Sequence, residues 1–117
     1  MDKQKIDTCY IIGTCLLYKK SVDRVLLNII EKELSNDYEV DLSDEKVMSA
    51  VIEWKDFFTF DIKGNIILTK EIKNSKYLVK CLFTDVLDLD IYNKLLEIIF
   101  NVTEKTYTKT KVINFFK

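Results

Sequence analysis

The feature that most constrains this chain is its near lack of residues that interrupt regular structure. Among 117 residues proline is absent, and glycine occurs only at Gly13 and Gly64. Apolar residues make up 48% of the sequence, well above what disordered segments carry. A chain of this length can bury its own core without disulfides or metals. We therefore predict one folded domain, residues 1–117, with almost every residue available for helices and strands.

Apolar residues at three- and four-residue spacing predict three helices. The first is expected to begin after an N-cap at Ser21 and to end near Asn36, and the third to begin near Asp88 or Asp90. Each carries an apolar stripe that should face a core. The stripes are Val22, Val25, Leu26, Ile29, Ile30 and Leu34 in the first helix, and Ile91, Leu95, Ile98, Ile99 and Val102 in the third.

The second helix is predicted from about Asp44 to Trp54. Ser43 is its N-cap, and the acidic residues that follow lie in the first turn, where the helix dipole favours negative charge. Leu42, before the cap, is placed to pack against Val47. We expect the inner face to be completed by Met48, Val51 and Ile52.

The strongest strand signal is a hairpin between Phe57 and Lys70. Asp61 suits the first position of a type I turn, and Gly64 suits the left-handed position of a three-residue loop. The turn therefore sets the register of the two strands. The expected cross-strand pairs are Phe58 with Leu68, Thr59 with Ile67, and Phe60 with Ile66.

Three further segments carry strand signals. Residues 38–42 alternate strictly and predict a short, half-buried edge strand, while residues 77–83 can add a third antiparallel strand. The run from Thr106 to Ile113 alternates and is rich in β-branched residues, so we favour a strand there over an extension of the third helix. The predicted fold is α+β, with three helices and a small antiparallel sheet built around a β-hairpin.

The apolar run at residues 9–18 follows Lys3 and Lys5 and faintly resembles a signal-peptide core. Asp2 and Asp7 interrupt the basic region, and the run is too short to span a bilayer, so we predict a buried strand or helix and no membrane partner. The odd number of cysteines fits neither a disulfide framework nor a zinc pattern. We expect them to be reduced thiols in a cytoplasmic, reducing compartment; they are Cys9, Cys15 and Cys81.

Enzymatic chemistry is not expected. The sequence has no histidine, which removes the commonest general base and the commonest metal ligand. Two distant glycines assemble neither a phosphate-binding loop nor a dinucleotide fingerprint, and the cysteines sit in apolar runs that raise a thiol pKa. We therefore predict no catalytic residue, no cofactor and no metal.

Two groups of carboxylates were weighed as metal sites. Asp85, Asp88 and Asp90 lie where a loop enters the third helix, and there they are expected to cap free N–H groups. Glu53-Trp54-Lys55 has the Glu-x-Lys form of some nuclease sites, but it closes a helix and not a strand. The sequence favours structural roles for both groups.

A helix followed directly by a hairpin is the arrangement of a winged helix, and this makes a DNA- or RNA-binding factor the alternative function. The expected recognition helix is acidic, and Arg24 is the only arginine, so sequence-specific contacts are disfavoured. Binding would then rely on phosphate contacts from lysines of the wing and the C-terminal region. The candidates are Lys63, Lys70, Lys73, Lys76, Lys109 and Lys111.

The favoured function is a small, non-enzymatic protein-interaction module, such as a regulator, inhibitor or assembly subunit. An acidic centre and a basic C-terminal region suit contact with another protein or with a second copy in a homodimer. Trp54 and Ile67 are the candidate interface residues. The lysine-, isoleucine- and asparagine-rich composition is typical of AT-rich genomes, including those of mobile elements and viruses.

Overall fold

The computed structural model describes residues 3–69 and 89–110, with side chains described to residue 101. The fold is α+β, as predicted. Within these residues lie four helices, one more than the three predicted, and four short strands. In chain order they are β1 (Gln4–Lys5), α1 (Thr8–Tyr18), α2 (Arg24–Leu34), β2 (Tyr38–Glu39), α3 (Asp44–Glu53), β3 (Phe58–Phe60), β4 (Ile66–Leu68) and α4 (Leu89–Thr110).

Helix α1 is formed by the apolar run near the start of the chain. Ile11, Ile12 and Cys15 are fully buried, and the helix packs against both α3 and α4. A helix that is apolar on nearly all sides belongs inside a protein, and α1 accordingly buries six consecutive residues, Ile11 to Leu16. Its buried Thr14 hydroxyl donates to the carbonyl oxygen of Tyr10 at 2.7 Å, so the polar atom is satisfied within the helix.

Helix α2 begins at Arg24, and the prediction of Ser21 as its N-cap is wrong. The cap is Asp23, whose carboxylate accepts the Leu26 N–H at 2.8 Å. Val22 stays outside the helix because its N–H and carbonyl pair with those of Ile66, at 2.8 and 2.9 Å. The helix ends at Leu34, close to the predicted stop at Asn36.

The buried face of α2 is rotated from the predicted one. Leu26, Ile30 and Leu34 are buried as expected, and Leu27 joins them. Val25, which was expected inside, is 65% exposed. The buried residues follow helical spacing from Leu26 and Leu27 to Ile30 and Leu34, and Val25 lies outside the face that they form.

Helix α3 begins at Asp44 after the predicted N-cap Ser43, whose hydroxyl accepts the Lys46 N–H at 3.4 Å. Leu42 and Val47 are both buried, as their predicted packing requires. Val51 also lies in the core.

The prediction that Met48 and Ile52 complete the inner face of α3 is wrong, because their side chains are 49% and 62% exposed. The buried residues are instead Val47, Ala50 and Val51, with Trp54 packed behind them. These positions follow the i, i+3, i+4, i+7 spacing of a helix face. Met48 and Ile52, one turn apart, therefore lie beside that face and not on it.

The hairpin has the predicted register at all three pairs of β3 and β4. Gly64 adopts a left-handed conformation with φ +83°, and its N–H donates to the Asp61 carbonyl oxygen at 3.0 Å. One Asp61 carboxylate oxygen accepts the N–H groups of Lys63 and Asn65, both at 2.9 Å. Both predicted turn residues thus have the roles that the sequence indicated.

The strand predicted at residues 38–42 is shorter than expected, and it does not join the hairpin. Only Tyr38–Glu39 is extended, and it pairs in parallel with β1. After the strand ends at Glu39, side chains bind the backbone. The Asp41 carboxylate accepts the Ser43 N–H at 3.0 Å, and the Glu31 carboxylate accepts the Leu42 N–H at 2.7 Å. These side-chain bonds take the place of strand pairing.

Helix α4 begins at Leu89, between the two predicted starts, and buries Ile91, Leu95, Ile98 and Ile99 as expected. It continues to Thr110, so the strand favoured from residue 106 onward is wrong for residues 106–110. Extending an existing helix adds a hydrogen bond for every residue fixed, which outweighs a weak local preference for strand. Residues 111–113 and the strand predicted at 77–83 lie outside the described residues.

Candidate protein-interaction surface

A groove of about 240 Å³ lies between the first turn of α2, helix α3 and the hairpin, and we call it the α3–hairpin groove. Its volume is below the roughly 300–1,000 Å³ of small-molecule sites, so it suits a few side chains of a macromolecule. Most of its lining is apolar. The lining residues are Val22, Leu27, Val47, Met48, Phe60 and Ile66, with Asp23, Arg24, Asp44 and Gly64 at the polar side.

The groove results from the contact between the start of α2 and the hairpin. The paired backbones of Val22 and Ile66 hold β4 beside the residue that precedes α2. Because Asp23 then caps the helix, Arg24 is held at the start of α2, close to the first turn of α3. Its guanidinium donates to the Leu42 carbonyl oxygen at 2.5 Å and forms an ion pair with Asp44.

Exposed apolar side chains lie beside the groove. Met48 lines it, Ile52 follows one turn later on the same side of α3, and Ile62 is fully exposed in the hairpin turn. Large apolar side chains that gather at an apolar groove mark an interaction site, whereas a single exposed one carries no such meaning. We define Met48, Ile52 and Ile62 as the apolar rim of the groove.

The charged residues around the groove are mostly acidic. The carboxylates of Asp23, Asp44, Glu45 and Asp61 outnumber the cations of Arg24 and Lys63. The charges of Arg24 and Asp44 offset each other in their ion pair, and the excess of negative charge is carried by the other carboxylates. The field at the groove is therefore negative and favours a positively charged partner.

A second, more polar pocket of about 140 Å³ holds Cys9 between α1 and α3. The Cys9 thiol donates to a Glu53 carboxylate oxygen at 3.9 Å. Burial, together with the charges of Glu53 and Asp7, raises the pKa of Cys9 to about 11. The thiol is thus protonated at neutral pH and is a poor nucleophile.

Other groups in this part of the molecule have structural roles. The Asp41 carboxylate lines the same pocket, and its pKa is lowered by the hydrogen bond from the Ser43 backbone. Cys15 is buried in α1, which raises its pKa to about 12. Among residues 3–69 and 89–110, no cluster of three potential metal ligands is present.

The residues predicted as interface candidates lie away from the groove. Trp54 stacks on Phe58 with ring centroids 5.8 Å apart and tilts against Phe57 at 5.3 Å, so it covers the edge of the core. Ile67 is half-buried, opposite the exposed Thr59 on the second face of the hairpin. Neither residue lines the groove.

Of the predicted nucleic-acid contacts, the structure places one side chain. Lys63 is exposed in the hairpin turn, at the tip of the proposed wing. Lys109 belongs to α4, but its side chain is not among those described, and the others lie outside the described residues: Lys70, Lys73, Lys76 and Lys111. The structure therefore does not bring this predicted set together.

Two groups of carboxylates were considered above as metal sites. Their members that the structure describes lie at helix ends. Asp90 is in the first turn of α4, where the helix dipole favours a negative charge. Its predicted neighbours Asp85 and Asp88 fall outside the described residues. Glu53 ends α3 and Trp54 is its C-cap. The Glu-x-Lys tripeptide thus lies at a helix end, as predicted.

Sequence reasoning missed Met48 and Ile52 because it counted every apolar residue of α3 as part of one face. The signal that separates them is present in the spacing. A complete helix face is already formed by Val47, Ala50, Val51 and Trp54. Adding Met48 and Ile52 makes the apolar face wider than the side of α3 that contacts the core.

Comparisons with known proteins add nothing to these observations. No protein-family model, no curated protein and no solved structure matches the chain. Within the part of the chain that the structure describes, no helix has the length and apolarity that crossing a membrane requires.

Proposed function

We propose that this chain is a small protein-interaction module that binds another protein through the α3–hairpin groove and its apolar rim. The observation that carries the proposal is the exposure of Met48 and Ile52 beside an apolar groove. Such a module acts without catalysis, as a regulator, inhibitor or assembly subunit.

The exposed area of Met48 and Ile52 can contribute binding energy to a complex. Fully burying an Ile or Met side chain contributes about 1.5–3 kcal/mol. Since Met48 and Ile52 are each roughly half exposed, a partner that covers them gains on the order of 1 kcal/mol from each. Apolar anchors next to a pocket are the positions at which interfaces concentrate their binding energy.

Affinity purification from the native host, with quantitative mass spectrometry, tests the proposal. Ile52→Gln removes an anchor without adding charge, and glutamine is a good helix former. Val25→Gln is the matched control, because Val25 is equally exposed but belongs to α2 and is not part of the apolar rim. We expect a partner that Ile52→Gln loses and Val25→Gln retains. Identical partners for both variants would contradict the proposal.

Nucleic-acid binding is the second candidate, and the path of the chain favours it. The Val22–Ile66 bridge gives a sheet in the spatial order Val22, β4, β3. Along the chain, α1 comes before Val22, and α2 and α3 lie between Val22 and the hairpin. This order of helices and strands resembles that of a winged helix, and the resemblance supports the second candidate. Lys63 would contact phosphate from the tip, while the acidic first turn of α3, with Asp44 and Glu45, opposes entry into a DNA groove.

Gel-shift measurements at several salt concentrations separate the two candidates. A nucleic-acid-binding chain should shift duplex DNA or RNA at low salt, with an affinity that falls steeply as salt rises. Lys63→Glu should weaken the shift more than Lys55→Glu, which makes the same charge change next to α3. The absence of any shift at low salt would remove this candidate.

A further inference from the structure

The structure points to one kind of occupant for the α3–hairpin groove, and this inference rests on the proposed function. We infer that the groove binds an amphipathic helix that carries basic residues on both sides of its apolar face.

The sheet contributes a face to the groove and not an edge, because Val22, Ile66 and Phe60 lie directly opposite one another in neighbouring paired segments and all line it. The N–H and carbonyl groups of Val22 and Ile66 are used by each other. In the hairpin turn, Asp61 accepts the N–H groups of Lys63, Gly64 and Asn65. Strand addition needs unpaired backbone groups at a sheet edge, so the occupant must bind through its side chains.

Helix α3 presents a ridge that a second helix can pack against. Met48 and Ile52 are four residues apart, and such side chains are neighbours on a helix surface. Two helices pack by placing the i, i+4 ridge of one into the groove of the other. An occupant helix alongside α3 would thus place one apolar side chain in the α3–hairpin groove and others against Ile52 and Ile62.

The charge around the groove selects the sign of the partner. Glu45 is exposed one turn before Met48, and Asp44 and Asp61 lie on either side of the groove. Arg24 and Asp44 offset each other, and beyond Ile52 the chain adds one cation and one anion, Lys55 and Asp56. The remaining carboxylates close to the groove outnumber the remaining cation, Lys63; they are those of Asp23, Glu45 and Asp61. An acidic helix would meet like charge there, whereas lysines or arginines would meet carboxylates.

Two synthetic helical peptides of about 18 residues, roughly five turns, test the inference with the full chain. They share one leucine-rich face and differ only in the flanking positions, which are lysine in one peptide and glutamate in the other. Fluorescence anisotropy should show that the lysine peptide binds at least about tenfold more tightly at low salt. Equal or tighter binding of the glutamate peptide would overturn the inference.

Variants locate the binding on the surface. Ile52→Gln should weaken the lysine peptide by roughly five- to tenfold, while Val25→Gln should leave it unchanged. Glu45→Lys should weaken it by about threefold, and Glu39→Lys, which makes the same charge change away from the groove, should have less effect. If the two charge reversals act equally, the preference comes from net charge and the inference is wrong.

The outcomes separate this inference from the proposed function. If neither peptide binds but a cellular partner still depends on Ile52, the occupant is not a basic helix and the function stands. If sedimentation shows self-association that Ile52→Gln abolishes, the occupant is a second copy, which also overturns the inference. If nothing that binds the chain depends on Ile52, the inference and the proposed function both fail.

Discussion

The orientation of α3 predicts a sharp difference between two neighbouring residues. Val51 is 5% exposed and packs in the core, whereas Ile52 is 62% exposed. Truncating each to alanine therefore removes a core contact in one case and surface area in the other. Comparing the unfolding free energies of the two variants tests the orientation of α3, on which the proposed binding surface depends.

The expected magnitudes follow from burial. Val51→Ala removes the equivalent of two buried methylene groups at about 0.8 kcal/mol each, and the remaining void brings the loss to about 2 kcal/mol. Ile52→Ala removes an exposed side chain and gains a few tenths of a kcal/mol in helix propensity. Its free energy of unfolding should stay within about 0.5 kcal/mol of the parent.

Urea unfolding followed by tryptophan fluorescence provides the assay. Trp54 is the only tryptophan, and its stacking on Phe58 makes its emission a probe of the core. With a denaturant slope of about 2 kcal/mol per molar, Val51→Ala should lower the midpoint by about 1 M. If Ile52→Ala lowers the midpoint as much as Val51→Ala, α3 is oriented differently and the apolar rim does not exist.

Three further predictions concern local structure and the Cys9 pocket. Gly64→Ala should lower the unfolding free energy by about 1 kcal/mol, because a side chain at φ +83° is strained although the space around it is open. Asp23→Ala should cost about 1 kcal/mol through loss of the α2 N-cap, whereas Ser21→Ala should not. Alkylation of Cys9, mapped by peptide mass spectrometry, should be slow at neutral pH and rise towards pH 11. Because its folded pKa lies above the ordinary 9.0, any stability that it contributes is present below pH 9 and is lost between pH 9 and about 11. Fast alkylation at neutral pH would show that the thiol is ionised.

The sequence predicts best the features that neighbouring residues determine. The hairpin register follows from Asp61 and Gly64, which lie within four residues of each other, and it is correct at every pair. The Ser43 cap and the buried stripe of α4 are likewise local patterns. Such features need no knowledge of what the chain packs against.

The predictions that failed depend on contacts between distant parts of the chain. Ser21 loses the role of N-cap because Val22 pairs with Ile66, more than forty residues later in the sequence. Strand β2 pairs with β1, which lies more than thirty residues earlier and carries no strand pattern of its own. Periodicity within one segment contains no information about either partner.

The candidate site was missed for the same reason, and this bears on what the site does. Met48 and Ile52 were assigned to the core from their apolar character, yet the face formed by Val47, Ala50 and Val51 closes the core without them. The exposed parts of their side chains have no role in the packing of α3 against the core. A functional role is expected at positions where the hydrophobic pattern predicts burial but the fold leaves the side chain exposed. The disagreement in α3 lies beside the groove, on the surface for which we propose a partner.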